Sequence, residues 1–362
     1  MRLVVKIGTS SVTDDAGTVD DAAIVKLSAE IAELRAAGHE TVLVSSGAVA
    51  AGVAALGLPS RPTDVRTLQA LAAAGQPRLM RSWDAALAAH GLVPAQALLV
   101  LHDFIDRRQY LHARRTLTRL LELGTVPIIN ENDAIASDET RYGDNDRIAA
   151  LVAHNIGAAV LVLLTDLDGL YTADPRVDPA AELITRVRVD DPLLAIRAGR
   201  GGSGRGSGGM ANKLEAARIA SWSGVRTVIA VASRPGVLAG AIADEPIGTT
   251  FEAHRRKLSA RKLWIAFASH VAGTVTVDDG ARRALVERQT SLLPAGVVDV
   301  AGHFSEGDTV DVSGTDGVPF ARGMVFVQAA ELRRVVGRHT SDLPPGMAHE
   351  VIHRDDLVLL PA

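Results

Sequence analysis

Apolar residues along this chain gather in short blocks that give way abruptly to polar ones. Five blocks, Leu3–Ile7, Thr41–Val44, Val126–Ile129, Val160–Leu164 and Thr227–Val231, are almost continuous in β-branched and aliphatic residues, the pattern of strands covered on both faces. The stretches between them carry helical spacing instead. Asp20 or Asp21 can cap a helix in which Ile24, Leu27, Ile31 and Leu34 share one face before Gly38 ends it. Further helices are predicted near 107–123, 146–156 and 210–223. This alternation through about residue 250 predicts an α/β fold with an open, mostly parallel sheet and helices on both faces.

Four of the five blocks stop in small polar or acidic residues: Gly8-Thr9-Ser10-Ser11, Ser45-Ser46-Gly47, Asn130-Glu131-Asn132-Asp133 and Thr165-Asp166. Parallel strands set their carboxyl ends along one edge of a sheet, where ligands bind. Four distant segments are therefore expected at one site.

The texture changes after about residue 252. Basic residues Arg255-Arg256-Lys257 and Arg261-Lys262 lead into short alternating strands such as Thr274–Val277 and Val310–Val312. Turns at Asp278-Asp279-Gly280 and Pro294-Ala295-Gly296 bracket a single expected helix, Ala281–Leu293. The expected organisation is a first domain over residues 1–252 and a small β-rich domain over 262–362.

Composition narrows the function classes. The 362 residues are 47% hydrophobic and 22% charged with a net charge of -4, which argues against disorder and against electrostatically driven binding to nucleic acid or membrane. No cysteine is present, so disulfides, thiolate zinc sites and cysteine nucleophiles are excluded. Lys6 interrupts the N-terminal apolar run after three residues, and His154 and Asn155 interrupt the longest one, Ala149–Leu164. A soluble, unprocessed, cytoplasmic protein is expected, with a small-molecule substrate.

The most unusual segment is the run of glycines from Gly199 to Gly209, followed by a helix containing Met210-Ala211-Asn212-Lys213. Such a run reads as a flexible linker or as an anion cradle of backbone N–H groups at a helix N-terminus. Lys213, expected in the first helical turn, favours the cradle. The chain uses 33 arginines and only 5 lysines, yet Lys6 and Lys213 each stand beside a glycine-containing loop. A compact ammonium suits bridging phosphate oxygens as a point charge, and a buried strand lysine needs an anion to face. Gly143-Asp144-Asn145-Asp146 reads as a helix N-cap or, with Asn130–Asp133, as an acid and amide cluster able to orient lysines or bind a substrate ammonium. The calcium pattern D-x-[DN]-x-[DN]-G and the H-E-x-x-H spacing are both absent, so no metal site built by the protein alone is expected.

Taken together, Val5–Ser10, Val44–Ala48, Ile129–Asp133, Gly143–Asp146, Leu164–Asp166, Tyr171-Thr172-Ala173-Asp174-Pro175 and Ser207–Lys213 occur in an order that resembles the glutamate 5-kinases of the amino acid kinase superfamily. Gly302–Asp308 and His353–Asp356 are similar to the PUA domain that often follows in bacterial members. The resemblance implies the amino acid kinase fold plus a PUA-like C-terminal domain. It further implies ATP-dependent phosphorylation of L-glutamate to L-glutamyl 5-phosphate, the first step of proline biosynthesis, with Mg2+ bound mainly through the ATP phosphates.

Carried over by residue, the resemblance implies that Lys6 and Lys213 contact the phosphates and that Asp146 holds both lysines. Gly8 and Gly47 would donate backbone N–H groups; Ser46, Asp133 and Asn145 would bind glutamate. Thr165, Asp166, Ser207, Gly208, Gly209, Met210, Ala211, Asn212 and Lys213 would hold the nucleotide. Ser207 stands where threonine is usual in the family. A homo-oligomer and feedback inhibition by proline follow from the same resemblance.

Three rival readings stand beside it. Acetylglutamate, carbamate, aspartate and uridylate kinases share the fold. A PUA-type domain suggests RNA binding, but residues 262–362 carry nine basic against thirteen acidic side chains, the wrong sign for tracking phosphates. A nicotinamide dehydrogenase rests only on Gly204-Arg205-Gly206-Ser207-Gly208-Gly209, which follows no evident strand.

Overall fold

The computed structural model describes residues 1–360 except 15–17, 105, 136–144, 195–207, 256, 269–270, 345 and 347. Two compact units result. The first comprises Met1–Leu194 and the described part of Gly204–Lys257, the second the described part of Leu258–Ala362.

In chain order the first unit contains β1 (Arg2–Ile7), α1 (Asp21–Ala36), β2 (Glu40–Ser45), α2 (Ala48–Ala55), α3 (Val65–Ala88), β3 (Pro94–Leu99), α4 (Arg107–Glu122) and β4 (Val126–Glu131). There follow α5 (Asn145–Ile156), β5 (Val160–Thr165), β6 (Leu170–Tyr171), β7 (Leu183–Ile184), β8 (Arg186–Val187), α6 (Gly208–Trp222), β9 (Arg226–Val231), α7 (Val237–Ala243) and β10 (Gly248–Phe251). Each of the five expected strand blocks lies in one of these strands.

One sheet runs β3-β4-β2-β1-β5-β9-β10-β8. Its first six strands are parallel, and β10 is antiparallel to β9. The chain moves from β1 to β2 on one side and returns to β5 on the other, so the carboxyl end of β1 is a topological switch point. Side-chain parity then sorts the layers. Leu3, Val5 and Ile7 of β1 join one core with Ile24, Leu27, Ile31 and Leu34 of α1. Leu79 and Trp83 of α3 and Leu238 of α7 belong to the same core. Lys6 points to the other face, where α5 lies against β1 and packs on α6.

Two glycines bring α2 against α3. A Cβ on Gly52 would collide with the Leu71 carbonyl oxygen, and one on Gly75 with that of Ala48. No side chain larger than hydrogen fits either crossing point.

The second unit contains α8 (Ala260–Leu263), β11 (Val271–Val277), α9 (Asp279–Arg288), β12 (Val297–Gly302), β13 (Thr309–Ser313), β14 (Pro319–Val325), α10 (Ala329–Val335) and β15 (Ile352–Leu359). Its sheet order is β12-β11-β13-β14-β15. The expected helix Ala281–Leu293 is shorter than its apolar pattern: α9 ends where Gln289 turns left-handed at φ 51°, and the expectation of one helix gives way to α8, α9 and α10. No helix among the described residues is long and apolar enough to cross a membrane.

Candidate active site

At the carboxyl end of β1, two lysines meet one carboxylate. Lys6 Nζ lies 2.8 Å from Asp146 Oδ1, and Lys213 Nζ lies 3.1 Å from Asp146 Oδ2. The three residues are 5–8% exposed, and their formal charges sum to +1. Asp146 enters from the first turn of α5, while Lys213 is the sixth residue of α6 and so stands in its second turn, not the expected first. The helix begins earlier than its apolar pattern because Gly208 and Gly209 are already helical. Burial acts to raise the Asp146 pKa, but the charges of Lys6 and then Lys213 prevail and hold the carboxyl below its ordinary value.

Gly8 follows β1 beside this trio, and Gly47 follows β2. A Cβ on Gly8 would stand 3.7 Å from Lys6 Nζ. Gly47 caps α2 at φ 114°, and a Cβ there would press within 3.2 Å of Val12 Cγ2. The left-handed conformation thus favours glycine at 47, and a side chain there would also crowd Val12.

Beside the lysines runs a chain of carboxamides whose polarity is fixed from one end. The Glu131 backbone N–H donates to Asn145 Oδ1 at 3.0 Å, so the Asn145 Nδ2 group must point the other way, toward Ser46 and Asn130. It donates to Ser46 Oγ at 3.0 Å and to Asn130 Oδ1 at 2.9 Å. Asn130 Nδ2 in turn donates to Gln76 Oε1 at 2.8 Å. Because a backbone N–H can only donate, each oxygen and nitrogen along the series is assigned. Asn145 spends both donors inside the protein, and the Ser46 hydroxyl oxygen acts as an acceptor toward it. Trp83 Nε1 donates to Ser45 Oγ at 3.2 Å and steadies the end of β2.

Asp133 follows β4 and is 8% exposed. Burial pushes its carboxyl up to about 6, opposed by the positive charge of Arg61. On the other side of β1, Thr165 ends β5 and donates from its hydroxyl to Asp166 Oδ1 at 3.0 Å; Asp166 is exposed.

Of the site residues expected from sequence, Lys6, Asp146 and Lys213 converge on one another, and Ser46 joins Asn145. Gly208 and Gly209 open α6, Met210 and Ala211 are half-buried, and Asn212 is exposed. Ser207, Gly143, Asp144 and the run Gly199–Gly206 lie outside the described residues. Sequence reasoning missed Gln76 and Trp83. Gln76 sits between Gly75 and Pro77, a breaker signature, although the helix continues through it. Asn130 was visible within the acid and amide cluster, but no role was attached to it.

Comparison with known proteins identifies the family of each part of the chain. Residues 1–231 match the model of the amino acid kinase family, and residues 273–346 match that of the PUA domain. Similar curated proteins include the glutamate 5-kinase of Mycobacterium avium (strain 104), 46% identical over 98% of this chain and 96% of its own length. The glutamate 5-kinase of Bifidobacterium adolescentis is 47% identical over 99% of this chain and 95% of its own. Among solved structures, the product complex of T. acidophilum isopentenyl phosphate kinase is similar with a TM-score of 0.51 at 20% identity. It covers 70% of this chain and 100% of its own, a likeness of fold. On these matches, the chain belongs to the amino acid kinase family.

Proposed function

We propose that this chain transfers the γ-phosphoryl group of ATP to the γ-carboxylate of L-glutamate, forming L-glutamyl 5-phosphate at the entry to proline biosynthesis. The observation that carries the reading is the pair of ammonium groups seated on the two oxygens of one buried carboxylate. Relatives that bear the name glutamate 5-kinase over nearly the whole chain support the choice of substrate. Residues 1–252 form the catalytic domain in this reading, and 262–362 a PUA-like one.

A γ-carboxylate with an ordinary pKa of about 4.3 is ionised at neutral pH, so the nucleophile needs no general base. What it needs is relief from repulsion as it meets a triphosphate. Its oxygen forms a bond to the γ-phosphorus, the bond to the β,γ-bridging oxygen breaks, and ADP leaves with that electron pair. Lys6 and Lys213 neutralise charge on the transferring group and the leaving oxygen, and Gly8 and Gly47 donate backbone N–H groups to it. Asp146 keeps the two ammonium groups apart and aimed.

Asp133 takes the glutamate ammonium and Ser46 a carboxylate, with Asn145 acting through Ser46. Thr165, Asp166 and Ser207 to Lys213 hold the nucleotide. Mg2+, bound mainly through the ATP phosphates, would supply charge neutralisation there. A homo-oligomer, inhibition by proline and action in the cytoplasm complete the reading.

The test is ATP consumption with L-glutamate, N-acetyl-L-glutamate and L-aspartate, with hydroxylamine added to trap an acyl phosphate. Hydroxamate formed from glutamate alone is expected; preference for either other acid overturns the substrate assignment.

A further inference from the structure

The loop after β5 is fastened by a hydroxyl from a distant strand. Thr249 of β10 is fully buried; its Oγ1 accepts the Leu170 N–H at 2.7 Å and donates to the Ile184 carbonyl at 2.6 Å. A single oxygen thus closes on both β6 and β7. Two glycines allow the approach: a Cβ on Gly169 would stand 2.5 Å from Thr249 Oγ1, and one on Gly248 would stand 2.7 Å from the Asp168 carbonyl oxygen. At the start of the same loop, the Thr165 carbonyl accepts the Ala232 N–H at 2.8 Å. The backbone from 165 to 170 is therefore held at both ends, with the Thr165 and Asp166 side chains between them at the carboxyl edge of the sheet.

We infer that Thr249 is a positioning residue for the nucleotide, acting through the Thr165–Leu170 loop. The inference rests on the assignment of Thr165 and Asp166 to nucleotide binding. Ligand contacts carried on a loop are only as good as the bonds that fix its backbone. Removing the hydroxyl takes away the bond that each of these groups makes to it, and the loop loses its tie to β10.

In the full-length enzyme, Thr249→Val is expected to raise the KM for ATP and the calorimetric Kd for ADP about tenfold, the scale of one lost buried hydrogen bond. The glutamate KM stays within about twofold, and Thr249→Ser, which keeps the hydroxyl, restores nucleotide affinity. Should Thr249→Val not fold, Thr249→Cys, a weak donor of similar size, reads the same split. A lowered Tm or kcat with unchanged ATP KM overturns the inference, as does failure of serine to rescue. Asp166→Ala separates the levels: if it raises the ATP KM and Thr249→Val does not, the positioning role fails and the nucleotide assignment stands. If neither variant moves the ATP KM, both fail.

Discussion

At the scale of single residues, Asp133 links burial to pH. Its carboxyl titrates near 6, above the value of about 3.9 for an unfolded aspartate. The sign follows from linkage: the folded state favours the protonated form, so this group's contribution to stability is present below about pH 4 and is lost as pH rises through 6. Glutamate binding in the proposed site requires the ionised form. The glutamate KM is thus expected to climb as pH falls below about 6 while the ATP KM stays flat, and Asp133→Asn should raise the glutamate KM at least tenfold and abolish that dependence. Steady-state kinetics between pH 5 and 8 check it; parallel changes in both KM values would remove Asp133 from the glutamate pocket. His154 works in the opposite sense, since burial lowers its pKa to about 4 and its contribution to stability disappears as pH falls from about 6.5. The lysines were legible from composition because a chain with 33 arginines places two of its 5 lysines beside glycine loops. Gln76 was not, because its function lies in a contact with Asn130 across 54 positions of sequence.

At the scale of elements, what sequence revealed follows the contrast between apolar and polar positions. The central strands stand out because both their faces are buried and the residues are aliphatic. By contrast, α2 reads AVAAGVAA, with no polar positions to mark a face, and α3 carries Gly75 and Pro77 in its interior, which mimic a break. Edge strand β3 begins at a proline and has no β-branched residue, so neither its propensity nor its burial declares it. Yet the α2–α3 crossing matters to the site, because Gly47 opens α2 and Gln76 follows Gly75. Gly52→Ala or Gly75→Ala must push the helices apart, at a cost of about 1–3 kcal/mol for overpacking. Each is expected to lower Tm by several degrees and, because Gly47 and Gln76 shift, to reduce kcat and raise the glutamate KM together. Thermal melts with kinetics on the folded fraction test this. Unchanged kinetics in a destabilised variant would show that the crossing serves stability alone.

At the scale of the whole molecule, the two units separate in chemistry. The second unit has its own core, in which Val275, Leu285, Val312, Leu332 and Ile352 are buried together. It also has its own buried ion pair, Arg322 to Asp311 at 2.7 Å, with Arg322 Nη1 donating to the Ala266 carbonyl at 2.8 Å. Such a pair is costly to break and useful for fixing register, here between β13 and β14, where the two residues face each other. Every side chain gathered at the candidate site belongs to the first unit. A chain ending at Lys257 is therefore expected to keep a kcat within about threefold of the full chain, with hydroxamate formation still dependent on glutamate. A deletion that folds, as judged by its circular dichroism and a cooperative melt, but loses turnover altogether would mean that the second unit contributes to catalysis. A deletion that keeps turnover assigns the reaction to the strand ends of the first sheet alone, since no group beyond residue 257 is then available to supply charge.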